Sequence, residues 1–140
     1  MSKRDEKGFS LIEILIVVVV IAIIAAVAVP ALKRALVVAE NGNVFSAMRT
    51  IATSQVNYYS QNSRFARLNE LNNAHSGSLG TMSGTDLNRG KFVLSMIPAN
   101  PTVTELQEGY TIRALRNLSG EDTIYEFSVT QSGEIVQLQP

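Results

Sequence analysis

The 140-residue chain has no cysteine and no tryptophan, a single histidine at position 75, and a formal charge of zero. Each shortage removes a class of function. Without cysteine there is neither a disulfide framework nor thiolate chemistry, and one imidazole cannot build a histidine cluster for a metal. His75 is read as a loop residue. Twelve basic residues against twelve acidic ones give no electrostatic footprint for nucleic acid or for a strongly acidic substrate. No G-x-x-x-x-G-K-[ST], H-E-x-x-H or G-x-S-x-G motif occurs, and Gly77, Gly80 and Gly84 lack the strand-to-helix context of a phosphate cradle. No cofactor is expected, no metal is assigned, and catalysis has little to stand on, so no enzyme is expected. The adjacent acids Glu121 and Asp122 fit a solvated turn better than a calcium site.

Charge is also missing from one continuous stretch. Residues 7–30 read KGFSLIEILIVVVVIAIIAAVAVP, and from Ile14 to Val29 no side chain is charged or strongly polar. Everything after Lys33 has the mixed composition of a soluble domain, so the chain is built for two solvents. As a helix, Phe9 to Leu32 spans roughly 35 Å, enough to cross a hydrocarbon core of about 30 Å. The exception is Glu13, and an acid inside an apolar span asks for a functional explanation.

An ordinary secretory signal offers one account: the charged start MSKRDEKG, an apolar run, and Ala26-Val27-Ala28 as an A-x-A cleavage site. The run exceeds the usual apolar core of a removable signal, which would gain nothing from Glu13. Nor does the pattern stop at Ala28. Leu36, Ala39, Phe45, Met48, Ala52, Gln55 and Tyr59 keep helical spacing, so one helix from Phe9 to about Gln61, roughly 80 Å long, is expected to continue out of the membrane. Pro30 should kink or loosen it without ending it, and Gly42 is a second soft point.

The segment Lys7-Gly8-Phe9-Ser10-Leu11-Ile12-Glu13, the apolar run and Pro30 together resemble the leader and N-terminal helix of type IV pilins and pseudopilins. The match covers about residues 3–34. The resemblance implies that a prepilin peptidase cuts between Gly8 and Phe9 and that the new amine of Phe9 is methylated. It implies storage in the bacterial inner membrane as a single-pass precursor, then extraction by an assembly ATPase and inner-membrane platform into a homo-oligomeric helical filament on the cell surface. Phe9, Glu13 and Pro30 are then the assembly residues, with Glu13 the intersubunit acid. Ala22 stands where the family often has glycine, and the carboxy-terminal cysteine pair of many members is absent.

Physics gives Glu13 a partner. Cutting after Gly8 removes Lys3, Arg4, Asp5, Glu6 and Lys7 and creates an α-amine four residues before the acid. At that spacing the amine of the same helix could cap Glu13. The amine of a neighbouring subunit could instead pair with it and set the stagger between packed helices.

The implied fold is α+β, a long helix, first transmembrane and then amphipathic, packed on a small antiparallel four-stranded sheet. The expected layout is leader 1–8, filament-core helix 9–32, amphipathic helix 33–62, exposed loop region 63–90 with a turn of helix at Arg67 to Leu71, and sheet 91–140. Period-two alternation marks strands at Phe92 to Ile97, Tyr110 to Leu115 and Tyr125 to Thr130, with a short fourth at Glu134 to Leu138. Phe45, Met48, Ile51 and Tyr59 are the helix residues expected beneath the sheet. The favoured function is a type IV pilus subunit serving adhesion, twitching motility or DNA uptake. A pseudopilin of a type II secretion system and a secreted binding domain released after Ala28 are the alternatives.

Overall fold

The computed structural model describes residues 8–116 and 125–139, so Glu121, Asp122 and the tripeptide Asn117-Leu118-Ser119, which fits the short glycosylation-acceptor pattern, lie outside the described residues. The chain falls into two units, Met1–Ala39 and Glu40–Pro140. Helix α1 runs unbroken over Leu11–Asn62, 52 residues, with Pro30 inside it. Proline removes one backbone bond there, and the flanking Ile, Val, Ala and Leu turns carry the helix past it. The run Val17–Val20 is β-branched and a poor helix former in water. In hydrocarbon the balance reverses, because a helix satisfies every backbone group within the segment. Among the described residues nothing covers the large apolar side chains within Leu11–Val29, and α1 is long and apolar enough to cross a membrane.

In the second unit α1 turns amphipathic. Val44, Ala47, Met48, Ile51, Ala52 and Gln55 are buried, a stripe at the three- and four-residue spacing of one helix face. Phe45 and Tyr59, expected in that stripe, instead remain 39% and 41% exposed. The helical repeat of 3.6 residues rotates them to the flank of the line through Met48, Ile51 and Gln55.

The sheet is an antiparallel meander of six strands, not four. β1 (Thr81–Ser83) and β2 (Asp86–Arg89) form a hairpin within the stretch expected as loop, turning at Gly84 in the left-handed region. The same stretch holds α2 (Leu68–Ala74), longer than the single turn expected. β3 (Phe92–Met96), β4 (Thr111–Arg116), β5 (Tyr125–Thr130) and β6 (Ile135–Gln139) fall within a residue or two of the four strands read from alternation. A six-residue helix, α3 (Val103–Glu108), enters between β3 and β4. Thr102 and Glu105 cap it reciprocally, the Thr102 hydroxyl accepting from the Glu105 N–H and the Glu105 carboxylate from the Thr102 N–H.

Register sets the core in rows. Leu94 pairs with Ala114 and Ala114 with Phe127, while Met96 pairs with Ile112 and Ile112 with Val129. These six side chains share the inner face with Phe92 and join Met48 and Ile51 of α1 in one cluster. Fully burying a Leu, Ile or Met is worth about 1.5–3 kcal/mol each. A third row, Phe92–Arg116–Tyr125, places a cation on the same inner face.

Candidate functional site

The first candidate site is the amino-terminal end of α1. Among the described residues nothing stands within 4 Å of where a Gly8 side chain would begin, and Phe9 is 80% exposed. Phe9 and Ser10 precede the helix, and the Ser10 carbonyl accepts from the Glu13 and Ile14 N–H groups. Ser10 is therefore the boundary residue, and Glu13 sits in the first turn, where the exposed N–H ends favour a negative charge. Because Phe9 lies outside the helix, Phe9 and Glu13 are not on a common helical face in the uncut chain. Pro30 is embedded in the helix at the far end of the apolar run. Four residues of interest thus mark the ends of one uncovered apolar cylinder: Gly8, Phe9 and Glu13 at its start and Pro30 at its finish. Such a surface exceeds what a soluble monomer leaves bare, and it suits lipid or other helices of its kind.

Sequence reasoning did not foresee the second cluster, at the first turn of α1 in the Glu40–Pro140 unit. The Glu40 carboxylate lies 2.6 Å from Arg116 Nη2 and 3.4 Å from Lys91 Nζ. The Arg116 contact is close but off the hydrogen-bonding axis, so its attraction is Coulombic. Arg116 is 2% exposed and lies near the rings of Phe92 and Tyr125, with its guanidinium carbon 5.9 and 5.8 Å from their centroids. One turn on, Asn43 Oδ1 accepts from Arg89 Nε and Nη2 at 3.2 and 3.0 Å, while Arg89 Nη1 donates to the Ser78 and Leu79 carbonyls. Strand parity carries the signal for Arg116, which follows Ile112 and Ala114 at two-residue steps, but a charged side chain reads as outward-facing from sequence alone.

Two further networks tie α1 to its surroundings. Arg64 forks onto Glu70 at 2.9 and 2.6 Å and donates to the Tyr58 hydroxyl. The Arg64 hydrogen bond and the Arg67 backbone N–H hold the Glu70 carboxyl down at about 2, against desolvation. His75 is at the C-terminal cap of α2, and its Nε2 is 2.6 Å from the Ser54 hydroxyl. The Ser54 hydroxyl is also bonded to the Thr50 carbonyl, which ties it down as a local helix contact.

An open groove of about 280 Å³ lies between Met96, Pro98, Leu106, Tyr110 and Gln131. Burial pushes the Tyr110 phenol up to about 12, so it stays neutral. Among the described residues no three His, Cys, Asp or Glu side chains gather as a metal site.

No curated protein and no solved structure matches the chain. Residues 3–29 match the family model of the prokaryotic N-terminal methylation motif. The chain therefore carries, over those residues, a prokaryotic N-terminal methylation motif, followed by a long apolar helix and an α+β unit.

Proposed function

We propose that this chain is the precursor of a filament subunit, cut between Gly8 and Phe9 by a prepilin peptidase, methylated on the Phe9 amine, and assembled through α1 into a type IV pilus. The observation that carries the reading is the methylation motif at residues 3–29 leading straight into a helix whose apolar surface no other described residue covers. Before assembly that surface is solvated by inner-membrane lipid. After extraction by the assembly ATPase and its platform, copies of the same helix replace the lipid, and the filament reaches the cell surface.

Cleavage and assembly are linked through charge. In the membrane Glu13 is shallow, one helical turn from the interface, and its side chain can reach water. Inside a bundle of packed helices that exit is closed, and an unpaired buried charge costs about 3–5 kcal/mol. A register that sets Glu13 beside the Phe9 amine of a neighbouring copy is then favoured over registers that do not. The pair selects the stagger, while packing of Ile, Val, Leu and Ala supplies cohesion. Pro30, lacking its N–H, is the place where α1 can lose helical bonds at least cost during the transfer.

Sequencing the mature amino terminus tests this directly. An N-methylated Phe9 is the expected result; a mature chain starting at Val29 would overturn it in favour of an exported binding domain. A pseudopilin uses the same processing and a shorter filament, so deletion of the gene should also remove long surface fibres if the subunit is a pilin.

A further inference from the structure

Gly42 stands inside α1 with no described residue, beyond the helix's own adjacent backbone, within 4 Å of the position a Cβ would take. No close approach requires a glycine there, and helical backbone does not require one either. Glycine is nonetheless the weakest helix former after proline, because its backbone has the most freedom to lose. A residue that weakens a helix without any packing need is a site of retained flexibility.

Flanking it on both sides are the side chains that three basic residues hold. Glu40, two residues before Gly42, is held by Arg116 at the end of β4 and by Lys91 beside β3. Asn43, one residue after, is held by Arg89 of β2. The next residue, Val44, is 1% exposed and begins the packed stripe. The helix is therefore clamped across its glycine turn, immediately before it becomes immobilised by the core. Opening the clamp strands Arg116, a buried cation whose one anionic partner among the described residues is Glu40, so the closed state is strongly favoured.

We propose that Gly42 is a latent hinge in α1, held shut by a clamp in which Arg116 and Lys91 grip Glu40 and Arg89 grips Asn43. Loosening that begins in the turns before Glu40 stops at the clamp while it is closed, and releases the Glu40–Asn43 turn when it is broken. The core stripe from Met48 to Gln55 stays packed in both states. The inference concerns the helix alone and holds whether or not the chain polymerises.

Amide hydrogen exchange on the full-length protein in detergent micelles reads the hinge. Glu40→Gln should raise exchange of the amides of residues 42–46 about tenfold, with residues 48–55 unchanged. Adding Gly42→Ala should return exchange to the wild-type rate, because the methyl group meets no neighbour and only stiffens the backbone. Asn43→Ala, which frees the Arg89 grip from an exposed position, should raise the same amides about threefold and serves if Glu40→Gln folds poorly. Exchange at 42–46 within twofold of wild type in the folded clamp variants would overturn the proposal. So would an equal rise across 48–55, or no rescue by Gly42→Ala.

Discussion

Gln55 and Ala66 are joined by a pair of hydrogen bonds that closes the corner after α1. The Gln55 Nε2 donates to the Ala66 carbonyl at 2.9 Å, and its Oε1 accepts from the Ala66 N–H at 2.7 Å. Both residues are fully buried. The amide side chain thus acts as a short piece of sheet edge, satisfying a peptide that has turned away from the helix and out of reach of water.

Replacing Gln55 by Leu should preserve the volume yet leave both Ala66 backbone groups buried and unpaired. At roughly 1–3 kcal/mol for each of the two stranded groups, a loss of about 2–6 kcal/mol is expected. Thermal unfolding of the full chain in detergent, followed by circular dichroism, measures it. A loss under about 1 kcal/mol would show that the corner relaxes enough to rehydrate the peptide.

Acid should weaken the protein through Glu70. Its folded pKa is about 2 against an ordinary value of 4.5, so the folded state binds the proton less readily than the unfolded chain. The stabilisation is present above about pH 5 and is lost as pH falls towards 2. Because the pair is partly solvated, about 1–2 kcal/mol is expected rather than the full value of the shift. Glu70→Gln should flatten the pH dependence of the unfolding midpoint across that window.

Two glycines should respond differently to the same substitution. A Cβ at Gly80 would stand 2.5 Å from the Asn88 carbonyl oxygen, on the backbone of β2, and cannot be accommodated without moving the β1–β2 hairpin. At Gly109 the nearest atoms, from 2.9 Å, belong to the end of the Gln131 side chain, which can swing aside. Gly80→Ala is expected to cost about 1–3 kcal/mol and Gly109→Ala less than about 1 kcal/mol. Parallel denaturation curves would reveal a reversed order.

On the proposed assembly, Glu13→Ala should leave membrane insertion intact and reduce filament yield at least about tenfold, since it would remove the charge proposed to select register but none of the apolar surface. Membrane fractionation and the quantity of sheared surface filament give the two readings. Normal filament yield would remove Glu13 from the assembly role.

Much of the architecture was legible from the sequence because it follows local rules. Period-two runs from Phe92, Tyr110 and Tyr125 named the central strands, and the apolar run with helical spacing beyond it named α1. The missed elements had weaker or overlooked signals. In β1 and β2 only Met82 and Leu87 alternate with polar residues, too few to separate a short hairpin from a loop. Helix α3 is six residues long, but Thr102 and Glu105 carry the S/T-x-x-E spacing of a capping box, which could have marked it.

By itself, the sequence determined that this protein has an apolar helix too long and too bare for water, an acid at its head, and an alternating sheet, because hydrophobicity and periodicity act over a few neighbouring residues. Only the tertiary structure decided what becomes of the polar side chains that end up inside. Arg116 lies between two aromatic rings and reaches Glu40, 76 positions earlier in the chain, and Gln55 bonds to a corner 11 residues away. Whether a buried charge or amide finds a partner depends on which distant backbone the fold brings to it, and no local pattern records that.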